Sequence, residues 1–154
     1  MNTIESSTEI AEIVSSVTET MFGVSFVAAA PVAAQPSADW RCAALPIAGA
    51  MPLMVAVSAD EDSCRQLSAS LFSSAVAEVD ESMIKDALCE LVNITAGLVK
   101  RRMRLDQALG LPKIRDVHTF FASDRGTTPD GEWRQHTLRA GDLNLMLSIA
   151  TRIV

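Results

Sequence analysis

Residues 86–99 read DALCELVNITAGLV, and wound as a helix at about 100° per residue they divide into two unlike faces. Asp86, Glu90, Asn93 and Gly97 fall within about 60° of one another and make a polar stripe more than two turns long. Opposite them lie Ile84, Ala87, Leu88, Leu91, Ile94, Thr95 and Leu98, an apolar face wide enough to bury against a sheet. The period predicts that Ile84, Leu88, Leu91, Ile94 and Leu98 are buried while Glu90 and Asn93 meet solvent. The stripe is costly for a face that only meets water. Two carboxylates four residues apart lose about 0.2–0.5 kcal/mol where a lysine partner would have gained as much. A mid-helix glycine costs a further ~0.8–1.0 kcal/mol relative to alanine. Gly97 leaves bare backbone beside Asn93, where another surface can come close. This face is therefore expected to be kept for contact.

Outward from that stretch, Asp80 is placed to cap a long helix that runs to about residue 104, and Gly110 with Pro112 closes the region. Upstream, Asp60 to Asp62 open a second helix with acids in its first turn, and Leu67, Leu71 and Phe72 are its expected buried side. Residues 40–47 and 51–57 read as a strand pair turned at Ala48-Gly49-Ala50. A first helix over residues 7–21 starts at a Ser6/Glu9 capping box, repeats Ile10, Ile13, Val14, Val17 and Met21 at helical spacing, and ends at Gly23. Residues 24–30 then read as a strand and 31–38 as a loose connection.

Downstream, residues 114–122 are β-rich, 124–131 form a polar turn and 132–138 return as a strand. After a turn at Ala140-Gly141-Asp142, residues 143–153 form the last strand. Its Leu143, Leu145, Leu147 and Ile149 alternate with Asn144, Met146, Ser148 and Ala150, the pattern of a half-buried strand. Strands in runs of three on either side of a helical middle predict an α+β fold. The expectation is one domain over 1–154, an antiparallel sheet of about six strands with the first and third helices on one face.

Composition narrows the function classes. The chain has 154 residues, enough to bury roughly 68–70% of its unfolded surface. Apolar residues make up 49% and aromatics 5%, so the core is built from Ala, Val, Leu, Ile and Met and disorder is not expected. A net charge of −6 argues against nucleic acid as a partner. Cys42, Cys64 and Cys89 form no CxxC pair, which points away from a zinc site or disulfide framework and toward a reducing cytoplasm. The N-terminus carries Glu5 and Glu9 and no basic n-region, and the apolar run 24–34 is broken by Pro31 and too short to span a bilayer. A soluble cytoplasmic protein without a membrane partner is expected.

Few residues can carry chemistry alone. His118 and His136 each sit inside an expected strand, with no HExxH or Gly-x-Ser-x-Gly motif nearby. The seven glycines form no phosphate-cradling loop. Asp86 and Glu90 offer a hard cation too few oxygens, so no metal and no cofactor of its own are expected. Cys89 reads as a small, half-buried thiol flanking the stripe. The basic run Lys100, Arg101, Arg102 and Arg104 complements a helix C-terminus. Lys100 and Arg101 also continue the edges of the stripe, where they are placed to help dock an acidic partner.

Asp86-x-x-x-Glu90-x-x-Asn93 followed by Ala96-Gly97 resembles the signature helix of the CheC/CheX/FliY family of bacterial chemotaxis phosphatases. The likeness extends to the N-terminal helix ending in Met-Phe-Gly, the strand pair turning at a glycine and the closing antiparallel run. Of the three asparagines only Asn93 completes Glu-x-x-Asn, since Asn144 has Gly141 three places before it and Asn2 has nothing. A single motif copy is most similar to CheX-like members, which implies a homodimer, and no appended domain is expected.

The resemblance implies a substrate, the aspartyl phosphate of a CheY-type receiver domain that carries its own Mg²⁺. It implies that Asn93 orients the attacking water, that Glu90 pairs with a receiver lysine, and that Asp86, Gly97 and Lys100 make supporting contacts. A binding module that engages a response regulator or flagellar component without turnover stays open beside it. So does an oligomeric structural domain using the leucine-rich last strand as its interface.

Overall fold

A computed structural model describes residues 6–30, 40–49, 52–106, 108–117 and 133–151. Three helices, α1 (Ser7–Phe22), α2 (Glu61–Phe72) and α3 (Glu81–Arg102), lie on one face of a seven-stranded antiparallel sheet. The strands are β1 (Val27–Ala28), β2 (Arg41–Ala48), β3 (Leu53–Ala59), β4 (Ala108–Leu109), β5 (Lys113–Arg115), β6 (Trp133–Ala140) and β7 (Leu143–Thr151). The sheet order is β1-β6-β7-β3-β2-β4, and β5 pairs with the same strand as β4, β2. The fold is α+β, as the order of elements implied.

Each helix start follows from its capping residue. Ser6, Asp60 and Asp80 accept from the backbone N–H groups of Glu9, Ser63 and Met83, a satisfaction worth about 1 kcal/mol per cap. Gly23 ends α1 in the left-handed region at φ 69°. The core joins Ile10, Val14 and Val17 of α1, Cys64 and Leu67 of α2, and Ile84, Leu88 and Leu91 of α3 to one sheet face. That sheet face presents Leu45 and Ile47 from β2, Val55 and Val57 from β3, Leu138 from β6 and Leu145 and Leu147 from β7.

Four expectations need correction. The strand expected over 24–30 shrinks to Val27–Ala28, because α1 takes the backbone groups before it: Thr18 Oγ1 donates to Val24 O at 2.6 Å, and Ser15 bonds both N–H and C=O of Phe26 at 2.8 Å. On α2 the buried side is Ser63, Cys64, Leu67, Ser68 and Ala69, while Leu71 is half-buried and Phe72 is exposed. Small residues suit a helix tied directly to the sheet, where Asn144 N–H donates to Ser63 Oγ at 2.9 Å.

The last strand is not half-buried. Met146, Ser148 and Ala150 are as buried as the leucines, because the far sheet face carries its own apolar cluster of Cys42, Ala44, Met54, Ala56, Val117, Met146 and Ala150. Nor is β7 an edge. It lies between β6 and β3 with Leu143, Leu145 and Leu147 buried in the core, so an interface built on the leucines of the last strand is not open to this fold. The sheet edge beside β2 is instead made of two short pieces, β4 and β5, separated by Gly110, Leu111 and Pro112. The expected polar turn over 124–131, the loose connection over 31–38, most of the β-rich segment over 114–122 and His118 lie outside the described residues.

Candidate functional site

The candidate site is the outward face of α3, a helix that is tied to its neighbours at both ends. At its N-terminal end Arg41 of β2 reaches Glu81 through Nε at 3.1 Å and Nη2 at 2.8 Å. That planar pair holds the Glu81 carboxyl below its ordinary range. At the other end Arg102 Nε donates to Glu9 Oε1 of α1 at 2.6 Å. Both pairs are partly solvated, so each contributes at most about 1 kcal/mol. They join α3 to β2 at one end and to α1 at the other.

The buried residues of α3 are Ile84, Ala87, Leu88, Leu91, Val92, Thr95, Ala96 and Val99. The helix is therefore turned toward Val92, Ala96 and Val99 relative to the expected face, and Ile94 and Leu98 are only half-buried. The rotation leaves the stripe outward. Asp86, Glu90 and Asn93 are exposed, and Gly97 and Lys100 are half-buried. Among the described residues, neither Glu90 nor Asn93 has a side-chain hydrogen bond or ion pair. Asn93 presents a free carbonyl acceptor and a free NH₂ donor, one turn from a free carboxylate.

Gly97 sits one turn beyond Asn93. A Cβ placed on it would have Leu109 Cδ1 as its nearest neighbour, at 3.9 Å. Cys89 flanks the stripe half-buried, and burial raises its thiol pKa. His136 lies on β6 under the start of α1, where its Nδ1 is 2.9 Å from Ser7 Oγ. Among the described residues no group of three or more His, Cys, Asp or Glu can hold a metal ion, and no helix is long and apolar enough to cross a membrane.

Beside the stripe, Ile13 and Ser16 of α1 and Leu98, Arg101, Arg102 and Arg104 line a groove of about 420 Å³. A single-helix projection cannot show it, because two helices and the turn after α3 build it. The sequence signal that was present is the basic run over residues 100–104.

A family model for "Chemotaxis phosphatase CheX" matches residues 41–126, more than half of the chain. A search of curated proteins returned no match. Among solved structures, the chemotaxis protein CheX from Vibrio vulnificus aligns with 14% identity and a TM-score of 0.70, covering 97% of this chain and all of that one. CheX in the CheX–CheY–BeF₃–Mg²⁺ complex from Borrelia burgdorferi aligns with 16% identity and a TM-score of 0.70, covering 94% of this chain and 96% of that one. The FliM middle domain from Helicobacter pylori aligns with 7% identity and a TM-score of 0.62, covering 94% of this chain and 86% of that one. At these identities the structural likeness establishes the fold alone.

Proposed function

The chain belongs to the CheX family of chemotaxis phosphatases, and on that footing we propose that it hydrolyses the aspartyl phosphate of a CheY-type receiver, Asn93 orienting the attacking water. The observation that carries the reading is the pair Glu90 and Asn93, exposed on a clamped helix and free of any partner among the described residues. A polar pair carried on a helix and free of partners is ready to enter another protein's site without first breaking bonds of its own.

The chemistry asks little of the phosphatase. Phosphoryl transfer passes through a loose transition state, and the receiver brings the Mg²⁺ that offsets its charge. What remains is to hold a water in line with the scissile bond. The Asn93 amide accepts from that water through its carbonyl and directs it through its NH₂. Glu90, one turn earlier on the same face, accepts from a receiver lysine and fixes the register. Asp86, Gly97 and Lys100 complete the contact, Gly97 by letting the receiver approach the helix backbone. No cofactor of its own enters this scheme.

The whole chain acts as one CheX-like domain in the cytoplasm, as a homodimer whose two motif helices work independently. The CheX–CheY complex from Borrelia burgdorferi supports a CheY-type partner. The test is the decay of a phosphorylated CheY-type receiver with and without the purified protein. Accelerated decay is expected. A receiver that is bound but keeps its phosphoryl lifetime would make the protein a binding module instead.

A further inference from the structure

The polar stripe does not end at Gly97. Arg101 lies eleven residues beyond Glu90 and therefore within about 20° of it around α3. It opens onto the groove that Ile13, Ser16, Leu98, Arg102 and Arg104 complete. Arg102 is engaged with Glu9. Arg101 and Arg104 are exposed and have no ion-pair partner among the described residues. Two uncompensated cations over a floor of Ile13 and Leu98 stand out in a chain whose net charge is −6.

The backbone that carries Arg104 ends the helix in a defined turn. The turn after α3 bonds Leu105 N–H to Lys100 O at 3.0 Å and Arg104 N–H to Arg101 O at 3.1 Å, the double bond of a Schellman end. Such an end needs a left-handed residue at its hinge, normally glycine, and here Arg104 takes it at φ 55°. The chain accepts a strained arginine where glycine would be free of strain. Ser73 takes the same conformation at the end of α2, at φ 52°, so the backbone alone does not assign a use, and the groove rests on its uncompensated charges.

We propose that this groove is a second docking surface for the receiver, taking an acidic segment of it whose apolar edge rests on Ile13 and Leu98. The proposal rests on the receiver reading above, since the groove is judged by what reaches it from the stripe. Arg101 lies about 12 Å along the helix from Asn93. A standard interface buries about 800 Å² on each partner, a patch of roughly 16 Å radius. A receiver whose interface is centred on Asn93 therefore reaches Arg101 and the groove beside it. Buried there, Arg101 and Arg104 need carboxylates opposite them, because an unpaired charge at an interface is costly.

The test measures affinity for a CheY-type receiver loaded with BeF₃⁻ and Mg²⁺, at low and moderate salt. The double reversal R101E/R104E should weaken binding roughly tenfold or more and flatten its salt dependence. K113E/R139E, exposed positions on β5 and β6, applies the same change in net charge and should bind as the wild type does. R104G should raise thermal stability by relieving the left-handed arginine while still weakening binding, which separates docking from folding. Equal affinity of R101E/R104E and wild type would overturn the groove and leave the phosphatase reading intact. Equal loss in both double variants would reduce the effect to net charge and overturn it as well. A wild type that does not bind the loaded receiver would overturn both.

Discussion

A side chain added at Gly97 would meet Leu109 Cδ1 at 3.9 Å, an ordinary van der Waals contact, and nothing nearer among the described residues. Those residues therefore give no steric reason for glycine in the middle of α3, where it costs stability. On the proposed function the reason lies outside the chain, in a receiver that comes against the backbone. Gly97→Ala should raise unfolding stability by about 0.8–1.0 kcal/mol and lower kcat/KM for a phospho-receiver roughly tenfold, an overpacked contact costing about 1–3 kcal/mol. Thermal melting and steady-state kinetics on the same variant check both signs.

Gly110 should respond in the opposite way. A Cβ there would lie 2.6 Å from Pro46 Cγ and 3.0 Å from the Pro46 carbonyl oxygen. The Gly110 N–H to Pro46 O bond of 2.7 Å holds the link between β4 and β5 against β2, and a proline ring cannot swing aside. Gly110→Ala should destabilise the protein by about 1–3 kcal/mol, read as a lower urea midpoint at unchanged slope.

His136 predicts a pH dependence of stability unrelated to the site. It is 6% exposed and held neutral, burial first and then Arg134 lowering its pKa below the ordinary 6.5. A group whose folded pKa is depressed contributes stability that is complete above its unfolded pKa and lost as pH falls through the folded one. Stability should decline as pH falls below the ordinary histidine value of about 6.5. His136→Gln should be less stable at pH 7 and lack that decline, seen in denaturant titrations across the range.

The thiols should divide two to one. Burial pushes Cys42 up to about 11 and Cys64 up to about 12, so neither offers thiolate or access at neutral pH. Cys89 is half-buried with its pKa raised, and should be the slow, single site of alkylation in the native protein. Mass spectrometry should find one adduct on wild type and none on Cys89→Ser. Because Cys89 neighbours Glu90, the adduct should also block receiver binding.

Much of this was legible in the sequence because local rules agreed. The Ser6 and Asp80 caps and the stop at Gly23 are read from neighbouring residues and stand where the pattern placed them, while Asp60, expected among the first-turn acids of α2, caps that helix instead. The outward set Asp86, Glu90 and Asn93 was equally legible, since one helical period fixes which residues share a face. What escaped depends on non-local packing. The rotation of α3 toward Val92 and Ala96, the burial of Met146 and Ala150 on the far sheet face, and the groove between Ile13 and Arg104 are set by partners distant in sequence. The interior place of β7 is topological, and alternation along one strand carries no information about its neighbours.

The role given to Asn93 is tested most directly by single-turnover dephosphorylation of a phosphorylated CheY-type receiver, with affinity measured in parallel on the BeF₃⁻ form. A group that acts mainly in the transition state contributes little to ground-state binding. Asn93→Ala should therefore lose about 10²–10³-fold in rate at almost unchanged affinity, whereas Glu90→Ala should lose both rate and affinity. An Asn93→Ala protein that dephosphorylates the receiver at the wild-type rate would contradict the assignment of Asn93 as the residue that orients the attacking water.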